Sequence, residues 1–272
     1  MSPVTGGSWR DHEDRPAEVP PVPGPDAPPF YTAIGDLQGD AYRRNAFAAG
    51  TAEEVTALRA LGEVGPGSSV LDVGCGDARH LRRLVGEVDG VRAVGVDASP
   101  GLIEAGRRAA REQDVEVALL VGDARELPAV LGDRAGSFDV AWSLCQGAVG
   151  TSPVTDPQVL AGLADAVRPG GTVIVTFFHA LFAARHLAPG DAFDPIDLVH
   201  HHRPEVHGPE HVRARFDLWT ASYTVREAVR LLADVGLTVA SVRGVQPGAY
   251  GRRRAGDVAL DDPEVLVVAR RR

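Results

Sequence analysis

The run Val70-Leu71-Asp72-Val73-Gly74-Cys75-Gly76-Asp77-Ala78-Arg79-His80 constrains the fold more than any other part of the chain. A mostly apolar segment that runs into glycines reads as a strand buried on both faces, the habit of parallel sheets covered by helices. Glycine has no Cβ and tolerates positive φ, so a turn built on Gly74 and Gly76 brings backbone close to whatever lies opposite. The helix that follows aims its free N–H groups back at that turn. In open α/β sheets, a turn of this kind at the carboxyl end of an early strand binds nucleotide-like ligands.

The rest of the chain supplies the sheet that such a turn needs. A strand at 69–73 leads to a helix at 78–88, with Asp77 placed to cap it. A strand at 92–96 leads to a helix at 101–112, with Ser99 as N-cap and Pro100 in its first turn. A third strand spans 115–121 and a fourth 138–144. Asp156-Pro157 opens a helix at 158–167, and Pro169-Gly170-Gly171 turns into a strand at 172–178. This βαβα rhythm predicts an α/β fold with a doubly wound, mostly parallel sheet. The last two strands, 238–245 and 264–269, follow one another without a helix, which makes the final strand antiparallel.

Outside this core the patterning changes. Residues 1–29 are rich in Pro, Asp, Glu and Gly and lack apolar periodicity, so a disordered leader is expected there. Order begins near Phe30-Tyr31, a helical stretch at 39–50 carries Tyr42 and Phe47, and Thr51-Ala52-Glu53-Glu54 fits a capping box. Thr224-Val225-Arg226-Glu227 fits a second one. Between 179 and 222 helical periodicity fades. His200–Val206 and 211–219 can pair there as a hairpin. The domain expectation is a single unit over 30–272, with a helical cover at 30–64 and an insertion at 179–222.

Composition excludes several classes. The formal net charge is −9, which disfavours a nucleic-acid partner, because phosphate binding needs a basic face. No lysine is present, and arginine triplets stand as local exceptions at Arg252-Arg253-Arg254 and Arg270-Arg271-Arg272. No apolar run approaches the ~18 residues of a membrane span, and no secretory signal pattern opens the chain. With 2 cysteines there is no disulfide framework, and a reducing cytoplasm is the expected setting. Nothing in the sequence specifies an oligomeric state.

The chemistry gathers at the strand ends. The first strand ends at Asp72 and its glycines. The second ends at Asp97, about 20 residues on, where a carboxylate can accept from ribose hydroxyls. The third ends at Gly122-Asp123-Ala124, where a carboxylate can receive an exocyclic amine, and the fourth at Ser143-Leu144-Cys145-Gln146. In a parallel sheet all four lie on one edge.

On these residues the chain resembles a class I S-adenosylmethionine-dependent methyltransferase. Five segments carry the resemblance in order: 70–76, Val94-Gly95-Val96-Asp97-Ala98-Ser99, Val121-Gly122-Asp123-Ala124-Arg125-Glu126-Leu127-Pro128, Phe138-Asp139-Val140-Ala141-Trp142-Ser143, and 163–171. It implies a Rossmann-like, seven-stranded fold with an antiparallel last strand and S-adenosylmethionine as cofactor. It implies that Asp72 holds the methionine amino group and that Gly74, Cys75 and Gly76 lie against the methionine and ribose. Asp97 would hold the ribose hydroxyls with Ala98 beside the adenine. Asp123 would hold the adenine amine with Ala124 supplying a backbone N–H, and Ser143 would pass beneath the sulfonium. Where the family often carries a third glycine, this chain has Ala78.

The reaction so implied is in-line methyl transfer to an O, N or C nucleophile of a small molecule. The acidic charge favours that acceptor class over nucleic acid. An RNA methyltransferase using the arginine clusters and a non-catalytic cofactor-binding subunit are the alternatives. An NAD-dependent oxidoreductase is disfavoured because Gly-x-Gly-x-x-Gly is missing and Asp123 is present. His179, directly after the fifth strand, is the candidate base. Tyr31, Gln146 and Trp219 are the acceptor-side candidates. The histidines at 200–211 match no metal-ligand spacing, so no metal is expected.

Overall fold

The computed structural model describes residues 19–27, 29, 31–45, 49–209 and 212–272. The leader at 1–18, Phe30, Phe47 and His211 lie outside the described residues.

Helix α1 (Tyr31–Gln38) and a 3₁₀ turn (Gly39–Arg44) lead to α2 (Thr51–Gly62). Then β1 (Ser69–Val73), α3 (Arg79–Glu87), β2 (Arg92–Asp97), α4 (Pro100–Glu112), β3 (Ala118–Val121) and α5 (Leu127–Leu131) follow. Next come β4 (Phe138–Ser143), α6 (Asp156–Ala166), β5 (Val167–His179) and α7 (Ala180–Arg185). Five short strands come after α7: β6 (Ala192–Asp194), β7 (Val199–His202), β8 (Glu205–His207), β9 (Arg213–Arg215) and β10 (Leu218–Tyr223). Helix α8 (Val225–Asp234), β11 (Leu237–Val245) and β12 (Glu264–Arg271) complete the chain.

The sheet runs β3-β2-β1-β4-β5-β12-β11. Strands β1 to β5 are mutually parallel. Strand β12 lies antiparallel between β5 and β11, as its helix-free connection requires. The expected seven strands are present and three more join them. Strand β10 pairs parallel with the end of β5, at Ser222↔Phe178 and Tyr223↔His179, and β7 and β6 continue outward. The reason is length: β5 reaches beyond β4, and its exposed edge recruits the insertion. The expected hairpin is seen as two pairings, β7 with β10 and β8 with β9.

Strand alternation divides the core. Leu71, Val73, Phe138, Phe177, Val265 and Val267 face one side, together with Leu160 and Leu232 of α6 and α8. Val70, Trp142, Ile174, Leu266 and Val268 face the other, with Leu58 and Leu81 of α2 and α3. A small third cluster joins Ile34 of α1 to Val206 and Leu218 of the insertion, with Tyr31, Leu37 and Phe216 packed against it. It ties the helical cover to the insertion above the carboxyl edge of the sheet.

Two caps form as the sequence predicts. Ser99 Oγ accepts from the Leu102 N–H (3.1 Å), and Thr224 and Glu227 make a reciprocal capping box. Three do not. Thr51 is already helical and α2 has no side-chain cap, because Glu54 turns inward to bond Arg79 and His80. Asp77 instead receives Arg82 Nη2 (2.8 Å), while Ala78 precedes α3 at φ 58°. Asp156 points back into its preceding loop, accepting from the Gly150 N–H (2.8 Å) and Tyr223 Oη (2.6 Å). The third strand starts at Ala118 rather than 115, and within the expected 39–50 helix the described Gly39–Arg44 form a short 3₁₀ turn.

Ser99 also donates to Asp36 Oδ1 of α1 (2.7 Å), so one hydroxyl caps α4 and fastens the cover. Ser99→Ala should lower unfolding stability by about 1 to 2 kcal/mol in urea titrations.

Candidate active site

The carboxyl edge of the sheet holds a cavity of about 400 Å³, of the size that accepts a small ligand. Its floor is the turn after β1. Gly74 (φ 77°) and Gly76 (φ 56°) take conformations that disfavour side chains, and Ala78 adopts φ 58° at the position where a third glycine often stands. The turn is pinned to the next strand by the Gly74 and Cys75 N–H groups, which both donate to the Val96 carbonyl (2.8 and 3.1 Å). A Cβ on Gly74 would lie 2.1 Å from the Gly147 carbonyl carbon, so this turn and the loop after β4 touch backbone to backbone.

Four strand ends deliver polar groups to the cavity. Asp72, at the end of β1, is 2% exposed and its Oδ2 has no hydrogen-bond partner. Burial raises its pKa, against the opposing charge of His80, whose Nδ1 is 3.8 Å away. Asp97, at the end of β2, accepts from the Gly76 N–H (2.7 Å) and the Ser99 N–H (2.9 Å). Burial nevertheless pushes Asp97 up to about 6. Asp123 accepts from the Arg125 backbone N–H (2.9 Å) and is clasped by the Arg125 guanidinium, which holds it below the ordinary carboxylate value against the pull of burial. Gln146, in the loop after β4, accepts from Tyr31 Oη and donates to Gly150 O (2.9 Å), Trp219 O (3.1 Å) and Thr220 Oγ1 (2.9 Å).

Most expected residues come together here. Asp72, Gly74, Cys75, Gly76, Asp97, Ala98, Asp123 and Ala124 line the cavity, and Tyr31 and Gln146 line it on the side of the cover. Three expected residues do not. Ser143 is buried in β4 with an unpartnered Oγ, one residue short of the lining residue Leu144. His179 is 3% exposed and its Nδ1 sits 3.1 Å from the Asp262 carbonyl. Side chains alternate along a strand, so the preceding Phe178 faces the cavity and His179 falls on the opposite side. Trp219 supports the mouth from behind, its Nε1–H donating to Pro20 O (2.9 Å).

The described part of the leader crosses that mouth. Val22, Pro23, Gly24 and Ala27 line the cavity, and Arg125 Nη1 donates to Pro25 O. The histidines of the insertion lie elsewhere. His200 and His202 stack at 5.0 Å, with His200 bonded to Asp191 (2.8 Å), and His201 pairs with Asp217 (3.0 Å).

Sequence reasoning missed three charged groups at this site. Arg79 lines the cavity and is ion-paired to Glu54, which is fully buried, bonds His80 Nε2 (2.8 Å) and accepts from the Gly248 N–H (2.7 Å). Burial would raise Glu54, but the His80 hydrogen bond and the charges of His80 and Arg79 outweigh it and hold it at about 2. Glu264, the third, opens a strand that is otherwise apolar up to Ala269. That lone carboxylate in front of an apolar run was its available signal.

The geometry fits a ligand carrying a nucleoside and a cationic, amine-bearing tail. Asp97 stands at the end of β2 over a floor whose Gly74 and Gly76 carry no side chains, and Asp72 Oδ2 beside it lacks a hydrogen-bond partner. Residues 70–171 match the sequence model of a family described as a methyltransferase domain. The CcbJ methyltransferase of Streptomyces caelestis superposes at TM-score 0.70 with 19% identity, covering 88% of this chain and 98% of that one. An S-adenosylmethionine-dependent methyltransferase of Clostridium acetobutylicum gives TM-score 0.63 and 12% identity over 89% and 98%. The PH0226 protein of Pyrococcus horikoshii gives 0.62 and 19% over 89% and 98%. No curated sequence matches the chain.

The buried Glu54 sets a pH dependence. Its folded-state pKa lies below its ordinary value of 4.5, so its stabilisation is present above about pH 5 and disappears as pH falls toward 2. Glu54→Gln should therefore cost on the order of 3 kcal/mol at pH 7. The deficit against wild type should shrink as denaturation is measured from pH 5 downward.

Proposed function

We propose that this chain, a class I S-adenosylmethionine-dependent methyltransferase, binds S-adenosylmethionine along the carboxyl edge of its sheet and methylates a small-molecule acceptor. The observation that carries the reading is the convergence of Asp72, Asp97 and Asp123, from three successive strand ends, on one cavity floored by Gly74 and Gly76. When bound, S-adenosylmethionine supplies a methyl carbon on a positively charged sulfur.

The chain's own residues do the rest. Asp72 holds the methionine amino group with Oδ2, the oxygen that lacks a hydrogen bond and faces His80 at 3.8 Å. The Gly74–Gly76 backbone lies along the methionine and ribose. Asp97 accepts from the ribose hydroxyls, and Ala98 flanks the adenine. Asp123 and the Ala124 N–H recognise the adenine edge, with Arg125 carrying that contact over to the Pro25 carbonyl. Tyr31 and Gln146 close the acceptor side and exclude water, so that nucleophile and methyl group are held in line. Residues 30–64 act as a cover and 179–222 as an acceptor-side insertion of one catalytic domain. Their shared cluster around Ile34, Val206 and Leu218 supports that pairing.

A concave cavity of about 400 Å³ favours a small acceptor over a macromolecular one. Among the described residues no helix is long and apolar enough to cross a membrane. The sequence-derived charge of −9 likewise disfavours nucleic acid.

Calorimetry with S-adenosylmethionine tests the reading. Wild type should bind, while Gly74→Ala should lose binding outright because its Cβ would collide with Gly147. Asp97→Ala should weaken binding at least about tenfold. Because burial pushes Asp97 up to about 6 and it must be ionised to accept both hydroxyls, affinity should fall roughly tenfold per pH unit below that point. Asp97→Asn should flatten the profile. Absence of binding by the wild-type chain would sink the proposal.

A further inference from the structure

We propose that Glu264 recognises the acceptor and that the acceptor it selects carries a protonatable amine. The proposal rests on the methyltransferase reading of the cavity.

Glu264 begins β12 opposite Phe178, at the carboxyl end of β5, and both residues line the cavity. Its side chain is 2% exposed, and Oε2 has no hydrogen-bond partner. A buried carboxylate oxygen without a partner is costly, and folds keep such groups where a ligand completes them. The other cavity carboxylates already have duties under the methyltransferase reading: Asp72, Asp97 and Asp123 face the cofactor. Glu264 is the one left over, and it lies on the side of the cavity formed by Cys145, Gln146 and Phe178.

Among the described residues no cation is free to serve it. The groups facing Glu264 are the Thr176 hydroxyl of β5, which hydrogen-bonds it, Glu54 of α2 and Arg79 of α3. Cys145 and Tyr250 also lie within electrostatic range and contact each other, Sγ to Oη, at 2.8 Å. Arg79 is committed to Glu54 and to Thr51 Oγ1. Glu54 adds a repelling charge. The result is a half-satisfied anion in an apolar strand, with burial pushing it up to about 7. An ammonium or N–H-bearing cation supplies both the missing donor and the missing charge. An alcohol supplies only a donor, and an acidic acceptor is repelled.

The same group makes stability fall with pH. A carboxylate whose folded-state pKa is raised binds more protons folded than unfolded, so the fold weakens as pH rises from the ordinary 4.5 toward 7. Glu264→Gln, nearly isosteric and uncharged, should raise the Tm relative to wild type at pH 8 and leave it unchanged at pH 4. A correctly folded variant is therefore available for the binding test.

The test uses the full chain saturated with S-adenosylhomocysteine and titrated calorimetrically, at neutral pH, with benzylamine and cyclohexylamine against benzyl alcohol and cyclohexanol. Amines should bind at least about tenfold tighter than their alcohol counterparts. Glu264→Gln should erase that difference while keeping S-adenosylhomocysteine affinity within about threefold of wild type. Equal binding of amines and alcohols, no amine binding, or an amine preference that survives in Glu264→Gln would each overturn the proposal. So would a larger loss of S-adenosylhomocysteine affinity in the variant, which would assign the carboxylate to the cofactor. Failure of wild type to bind S-adenosylhomocysteine takes down the methyltransferase reading itself, an outcome distinct from the others.

Discussion

Two backbones that touch without side chains between them organise this protein. The turn after β1 rests on the loop after β4 at Gly74 and Gly147, where a Cβ on Gly147 would come within 2.3 Å of the Gly74 carbonyl oxygen. That approach fixes how far the two central strands' loops can separate, and so it sets the floor of the cavity. The turn is held from its other side by the Val96 carbonyl and by Asp97, which ties the Gly76 N–H to the end of β2. Three strands are thereby locked at one edge. The residues they present are positioned by rigid elements rather than by mobile loops, as precise ligand recognition demands.

The charges at that edge are sorted into satisfied and unsatisfied groups. Glu54, Arg79 and His80 neutralise one another beneath the turn, with Gly248 closing the network from the loop before β12. Because α2, α3 and the β11–β12 loop meet in this cluster, it couples the helical layer to the far side of the sheet. The same pairing takes Arg79 out of play and leaves the cavity anionic, with Asp72 and Glu264 each keeping a buried oxygen unpartnered. An anionic, partly unsatisfied cavity suits a ligand that brings positive charge, and it explains why burial can raise several carboxylates there at once.

Much of this was written locally and read correctly from the chain. The β1–turn–α3 segment, the Ser99 and Thr224 caps, the parallel alternation and the antiparallel last strand all depend on neighbours in sequence, and each formed as expected. The cavity-lining residues Asp72, Asp97 and Asp123 were legible for the same reason, since each sits at a fixed offset from the end of its own strand. Residues that needed a distant partner were misread. Glu54 looked like a helix cap but lies across from Arg79 and His80. Asp77 looked like a cap but is drawn to Arg82. His179 was one residue out of phase, because the side-chain period of a strand is two and the end of β5 was placed by its pairing with β10 and β12.

The sequence by itself determined the sheet, its strand sequence along the chain and the edge that carries the cavity, because hydrophobic periodicity and glycine placement act over a few residues. Only the tertiary structure decided what closes the cavity above that edge. Ile34 meets Val206 and Leu218 there, the Trp219 indole reaches back to Pro20, and Glu264 faces the cavity opposite Phe178. Those contacts join segments separated by up to 199 positions. Their geometry follows from how the sheet twists and packs, which no local pattern in the chain encodes.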